Sequence, residues 1–292
     1  MIRQSRRALV AALAVWPTLA RGVPPAGGAW SDQAFRSDDG ALIHYRRLGA
    51  GPGVVIVHGA FDEPRTWYPV AERLAGRFTF FILRRRGWLS PPPDDGTRPF
   101  EREKADIARL LAIAGPGASL FGHSAGGALA ADFARTHALP GRLILFDPAL
   151  PLSGTVAGGL MDELSALVAQ GRQNAAFKTF LDRIVQVDPE RIAALAGTPD
   201  FNRQAAMMNN GLRELAALDA LPRDPRAWAA IAAPTWLIEG ELSPEHPFHD
   251  AARALARVIP QVKVKLLKGQ GHMGMEAAPD EFARVLQACL TA

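Results

Sequence analysis

The sequence predicts an α/β fold, a mostly parallel sheet with helices on both faces. Three observations lead there. Short, almost pure apolar runs recur, clearest at residues 53–57 (GVVIV) and 78–83 (FTFFIL), and such runs suit strands buried on both faces. Segments of helical period stand between them, and strands alternating with helices at this spacing form parallel crossover units. A chain of 292 residues, 48% hydrophobic and 21% charged, carries enough apolar material for one large domain or one domain with an insertion, and excludes disorder as its overall state. Its 27 glycines and 23 prolines follow no period, so collagen-like and solenoid architectures are excluded.

Residues 1–28 read as a signal peptide and linker. Met1 to Arg7 is short and positive, residues 8–16 are apolar, and Pro17-Thr18-Leu19-Ala20 offers a small-residue cleavage site. Ser5-Arg6-Arg7-Ala8-Leu9-Val10 also loosely resembles a twin-arginine export signal. The expected location is periplasmic or secreted, the alternative being a basic tail on a cytoplasmic protein. The apolar run falls far short of the ~20 residues a bilayer span requires, so no stable membrane insertion is expected. Residues 22–28 (GVPPAGG) form the linker.

Strands are then expected at 41–45 and 53–57, a helix at 67–74 and a buried strand at 78–83. The spacing of Ile107, Leu110, Leu111 and Ala114 predicts a helix over 100–114. A short strand at 118–121, a small-residue helix at 125–136 and a strand at 142–146 follow. After Asp147 the alternation stops. Phe177, Phe180, Leu181, Ile184 and Val185 fall at i, i+3, i+4, i+7 and i+8, and Leu160, Leu164, Leu167 and Val168 make a similar stripe. Residues 150–230 are therefore expected to form an inserted helical cap, with the core built from 29–149 and 231–292. The alternative is that these helices extend the outer layer of the sheet. Strands at 235–238 and 262–267 and a helix at 279–290 complete the chain.

Charge and motif content exclude several functions. The formal charge is 33 − 29 = +4, but Arg3, Arg6 and Arg7 sit in the first seven residues. Cleavage after Ala20 would leave 30 − 29 = +1, which makes no case for a nucleic-acid partner. Cys289 is the only cysteine, so neither an intramolecular disulfide nor a cysteine-based zinc site can form. Gly49-Ala50-Gly51-Pro52-Gly53 precedes its strand, which is the wrong side for cradling a dinucleotide phosphate. No Gly-Lys-Ser/Thr and no His-Glu-x-x-His occurs, and His246-Pro247-Phe248-His249 alone makes no metal site. Neither a metal nor a cofactor is expected.

Three points carry chemistry. Gly122-His123-Ser124-Ala125-Gly126 lies between a strand and a helix, where a sharp turn projects the Ser124 hydroxyl above the sheet edge. Glycines two residues either side avoid collisions with neighbouring elements, and the small residues that follow suit a helix packed tightly on the sheet. Val57-His58-Gly59-Ala60-Phe61 ends a buried strand, in position to aim a backbone N–H at a developing oxyanion. Ala60 and Ala125 are the expected donors, and His58 is expected to brace the loop by hydrogen bonds. The third point is Gly271-His272, after the last strand. A serine hydroxyl needs an imidazole base, and of seven histidines only His272 sits on a late glycine-flanked loop at a strand's carboxyl end.

The order His58-Gly59, Gly122-x-Ser124-x-Gly126, Gly271-His272 resembles the α/β-hydrolase superfamily, from about residue 35 onward. The resemblance implies an eight-stranded, mostly parallel sheet, a helical cap inserted after the sixth strand, and a triad in the order nucleophile, acid, histidine, with Ser124 and His272 as its outer members. The acid departs from the pattern. Many members read Gly-x-x-Asp after the seventh strand, where this chain has Gly240-Glu241-Leu242-Ser243. Serine cannot stabilise an imidazolium by charge. Asp147, after the sixth strand, is the favoured replacement, with Glu241 the alternative and Glu245 a third candidate. Arg84-Arg85-Arg86-Gly87 departs too, from a family Asp-x-Arg-Gly. It reads as a structural turn, or as three arginines recognising an acidic substrate group.

The expected activity is cofactor-free serine hydrolysis of an ester, thioester or lactone of a small to medium apolar substrate, through an acyl-enzyme on Ser124. The alternatives are carbon–carbon bond hydrolysis, a cofactor-free perhydrolase, or a catalytically silent binding protein, since fold alone does not fix reaction. Sequence leaves the oligomeric state open.

Overall fold

The computed structural model describes residues 28–88 and 99–292; the expected signal peptide lies outside them. Eight strands form one sheet: β1 (Ser31–Arg36), β2 (Leu42–Gly49), β3 (Gly53–Val57), β4 (Thr79–Leu83), β5 (Ser119–His123), β6 (Leu143–Phe146), β7 (Thr235–Gly240) and β8 (Lys263–Leu267). Their order across the sheet is β1-β2-β4-β3-β5-β6-β7-β8. The β1–β2 and β2–β4 pairings are antiparallel, and all the others are parallel.

Strand alternation divides the core in two. Val55, Val57, Leu120, Leu143 and Leu145 face one apolar cluster, while Val54, Ile56, Phe121, Ile144 and Phe146 face the other. The first face is covered by α2 (Pro99–Ala114), α3 (Ser124–Thr136) and α9 (Asp250–Val258), the second by α1 (Tyr68–Leu74) and α10 (Pro279–Thr291). Burial on both faces explains why β3, β4, β5 and β6 contain only buried residues.

The edges differ from expectation. β1 (SDQAFR) was not foreseen from its residues: it buries only Phe35 and reads as polar because it is an antiparallel edge strand. At the other edge, β8 leaves four of its five residues exposed. There Lys263 and Lys265 reach over the Trp236 ring, which leaves two charged residues on the edge, a common guard against edge pairing.

Between β6 and β7 stand α4 (Met161–Ala169), α5 (Gln173–Arg183), α6 (Pro189–Leu195), α7 (Pro199–Ala206) and α8 (Met208–Asp219). The two expected apolar stripes bury Leu160, Leu164, Phe177, Phe180 and Ile184, continuous with the first core cluster. Phe61, in the loop after β3, packs on both Phe177 and Phe180 at ring-centroid distances of 4.9 and 4.8 Å. These helices therefore meet the loop at the carboxyl end of β3.

Strand order places the site. The chain leaves β3 for β4 on one side, then crosses back to β5 on the other, so the connections diverge between β3 and β5. A crevice opens at the carboxyl ends of strands at such a switch point. Val57 pairs with Gly122 there, which sets the His58-Gly59-Ala60 loop beside Ser124.

Candidate active site

Ser124 begins α3 directly after β5, with φ +56°, a left-handed conformation rare for a residue carrying a Cβ. Packing sustains it. A Cβ on Gly126 would stand 2.2 Å from the His58 carbonyl oxygen, and one on Gly122 would stand 2.5 Å from that of Gly126. Only glycine permits β3, β5 and α3 to approach this closely. Ala125 lies in the first turn of α3, where backbone N–H groups have no intrahelical acceptor. Ser124, Ala125, Ala60 and Phe61 line one pocket with residues of α5 and α8. Its free volume, about 20 Å³, holds roughly one water molecule.

Asp147 follows β6 at φ +43° and is 1% exposed. Its Oδ1 accepts a hydrogen bond from Gly240 N at 3.1 Å. Its Oδ2 accepts from Ser243 Oγ at 2.6 Å and from His272 Nδ1 at 3.1 Å. With Nδ1–H given to the carboxylate, Nε2 is the free lone pair of the His272 ring. The ring is clasped by Phe248 at 4.0 Å and by His123 at 4.6 Å. Ser124 Oγ has no hydrogen-bond partner among the described residues.

The alternative acids are engaged elsewhere. Glu241 is exposed, and its Oε2 accepts from Gly269 N at 2.7 Å. Glu245 is exposed and ion-paired with Arg253. Ser243, which replaces the usual aspartate, meets that Asp147 carboxylate directly.

The other histidines near the site are neutral braces. His58 Nδ1 donates to the Gly59 carbonyl at 2.9 Å, and Nε2 accepts from Arg85 N at 3.4 Å. Burial, with the Arg85 charge adding to it, pushes its pKa down to about 3. His123 Nε2 donates to the His272 carbonyl at 3.1 Å, and burial holds its pKa well below the usual histidine range. His272 therefore packs against an uncharged ring.

Of the three clustered arginines, Arg84 is exposed, whereas Arg85 and Arg86 are paired within the protein. Arg85 is 2% exposed; its Nε and Nη2 donate to Glu103 at 3.0 and 2.8 Å, and it also pairs with Glu214 of α8. Arg86 Nη2 donates to Asp106 at 2.7 Å and to Asp39 at 3.2 Å. The Arg85 and Arg86 charges are taken up within the protein, as the structural-turn reading expects. Among the described residues no group of His, Cys, Asp and Glu is arranged to hold a metal, and no helix is long and apolar enough to cross a membrane.

Sequence reasoning missed Phe248, Ser243 as a donor, and Glu214. The last had a signal: Gly211, Glu214, Leu215 and Leu218 fall at i, i+3, i+4 and i+7, which puts a carboxylate on a buried stripe.

Comparison with known proteins agrees with this architecture. A crystal structure of an alpha/beta hydrolase from Sphaerobacter thermophilus superposes with a TM-score of 0.73 at 32% identity, covering 89% of this chain and 100% of that one. An uncharacterised protein of Mycobacterium tuberculosis is 32% identical over 289 residues, 87% of this chain and 79% of the relative. A 2-(acetamidomethylene)succinate hydrolase of Mesorhizobium japonicum is 27% identical over 266 residues, 84% of this chain and 90% of that protein. The model of the alpha/beta hydrolase family matches residues 54–285, the span that carries β3 to β8 and every residue of the site, and this chain belongs to that family.

Proposed function

We propose that this protein is a serine hydrolase cleaving ester, thioester or lactone bonds of small to medium substrates, with residues 150–230 acting as a cap over the site. One observation carries the reading: Asp147 accepts from His272 Nδ1 at 3.1 Å while Ser124 stands in the strained strand-to-helix turn beside the same strand ends. In the proposed first step Ser124 Oγ attacks the substrate carbonyl carbon and its proton passes to His272 Nε2. The tetrahedral oxyanion takes hydrogen bonds from the N–H groups of Ala60 and Ala125. Asp147 holds the imidazole tautomer and stabilises the imidazolium by charge. As the carbon–oxygen bond breaks, the leaving alkoxide takes the proton from Nε2. Water repeats the sequence on the acyl-enzyme, with His272 again as base.

The binding-protein alternative rested on a missing acid, and a buried carboxylate against His272 supports the enzymatic reading over it. Closure of Ser124 Oγ onto Nε2 is expected when substrate binds, because catalytic hydrogen bonds often tighten only in the complex. A fluorophosphonate should label Ser124 covalently, seen by peptide mass spectrometry, and chromogenic esters should be turned over. Ser124→Ala and His272→Ala should each reduce turnover by roughly 10⁴–10⁶ with the circular dichroism spectrum unchanged. Full activity in either variant would overturn the mechanism.

A further inference from the structure

The pocket above Ser124 is apolar apart from the nucleophile and one other group. Phe61, Val156, Phe180, Ile184, Leu218 and Phe248 supply its walls, and Glu214 of α8 stands among them. Glu214 is 6% exposed; its Oε1 is ion-paired with Arg85 Nη2, and among the described residues its Oε2 has no hydrogen-bond partner. A buried carboxylate in that state is costly, and such groups in native proteins call for an explanation.

Arg85 supplies it for Oε1 alone. That guanidinium gives Nε and Nη2 to Glu103 in two good hydrogen bonds and Nη1 to the His58 carbonyl at 3.3 Å. Its second Nη2 hydrogen faces Glu214 Oε1 in an ion pair, which leaves Oε2 unmet. One positive charge thus faces two carboxylates, and Glu103 holds the better geometry. Burial pushes the Glu214 carboxyl up to about 7 in spite of Arg85. A purely structural latch between α8 and the core would need only the Arg85 side of this group, with no opening onto the nucleophile's pocket.

We propose that Glu214 is the specificity-determining group of this site: it accepts a hydrogen bond from a hydroxyl or N–H on the part of the substrate lodged in the pocket, and so selects donor-bearing acyl compounds over plain alkyl ones. This rests on the serine-hydrolase reading above. It refines the substrate class from simply apolar to apolar with one buried donor. The physical basis is asymmetric. A substrate that brings the donor satisfies Glu214 Oε2, whereas an isosteric alkyl group displaces any water from it and leaves that oxygen without a partner. Sites built to bond a substrate hydroxyl discriminate strongly against the analogue lacking it.

Isosteric ester pairs test this with the full-length protein. One pair carries the change in the acyl part, a 3-hydroxybutanoyl against a 3-methylbutanoyl ester. The other carries it in the alcohol part, 2-hydroxypropyl against 2-methylpropyl acetate. The wild type should favour the hydroxyl member of at least one pair by about tenfold or more in kcat/KM. Glu214→Leu should reverse that preference, and Glu214→Gln, which keeps the volume and an acceptor oxygen, should retain part of it. Fluorophosphonate labelling of Ser124 in each variant shows that the nucleophile turn has folded. A ratio at or below one in both pairs for the wild type, or an unchanged ratio in a labelled Glu214→Leu protein, overturns the role of Glu214 and leaves the hydrolase reading standing. Failure of the wild type to be labelled at Ser124 overturns the hydrolase reading, and this proposal with it.

Discussion

Asp147 accepts from Gly240 N, Ser243 Oγ and His272 Nδ1, so its carboxylate has one orientation and no freedom to turn from the imidazole. Exchange to an amide keeps the volume but loses the charge, and it offers His272 an N–H donor that favours the wrong tautomer. Asp147→Asn should therefore cost at least a hundredfold in ester turnover, on a scale of roughly 10⁴ for such changes in serine triads. Glu241→Gln should cost less than tenfold, because Glu241 meets only the Gly269 amide at the surface. Ser243 sits 2.6 Å from the carboxylate that faces His272, so a carboxylate introduced at 243 would stand close to the imidazole. Ser243→Asp in the Asp147→Asn background should recover part of the lost activity. In the wild-type background the same change sets two carboxylates together and should depress it. Steady-state kinetics on the four variants reads all of this. Damage from Glu241→Gln comparable to that from Asp147→Asn would show the assignment of the acid to be wrong.

At the scale of elements, the turn from β5 into α3 is held by backbone approach, and α8 is held by a charge cluster. Gly126→Ala would drive a methyl group to 2.2 Å from the His58 carbonyl oxygen and 2.4 Å from that of Val57. Neither atom is a flexible side-chain end, so α3 must shift away from β3. The expected cost is about 1–3 kcal/mol, read as a melting point lower by several degrees, with at least a tenfold loss of turnover because the Ala60 loop moves with it. The α8 cluster should show in the pH dependence of stability. Glu214 titrates near 7 in the folded protein against 4.5 ordinarily, so the native state holds a proton that the unfolded chain releases. That contribution is fully present below about pH 4.5 and is lost as pH rises through about 7. Replacing Glu214 with glutamine removes the titration. The melting point of the wild type should thus fall relative to Glu214→Gln between pH 5 and pH 8; a constant difference across that range would count against a buried, proton-holding Glu214.

For the molecule as a whole, the parallel centre of the sheet was legible because burial on both faces leaves a plain mark, GVVIV in β3 and RLILF around β6. The edges were not: β1 exposes most of its residues, and its pairing with β2 is a matter of register and not of hydrophobicity. The nucleophile and the histidine were legible from local glycine patterns. The acid was readable only as a choice, since Asp147 and Glu241 lie 94 residues apart in the chain and only the parallel β6–β7 pairing decides which carboxylate meets His272. Glu214 was overlooked although its spacing from Gly211, Leu215 and Leu218 puts it on the buried stripe of α8; the stripe shows that the carboxylate is buried but not that it meets the pocket beside Ser124.

The same scale decides what the first residues contribute. Trp30 stacks on Tyr68 at 4.1 Å and its Nε1 donates to Glu72 Oε1 at 2.8 Å, while β1 pairs with β2 from Ser31 onward. The described fold is thus anchored from Trp30, ten residues beyond the expected cleavage site after Ala20. If residues 1–20 direct export, their removal should leave every described contact in place. Protein beginning at Gly22 should match the full-length chain in melting point within about 2 °C and in ester turnover within twofold. A chain beginning at Ser37 loses β1 and the Trp30 anchor together, and it should melt several degrees lower. Mass spectrometry of protein recovered from the periplasm or medium of a secreting host should find a mature terminus at Arg21 or Gly22. An intact Met1 on the exported, active protein would show that the basic segment is retained and that the cleavage site is misread.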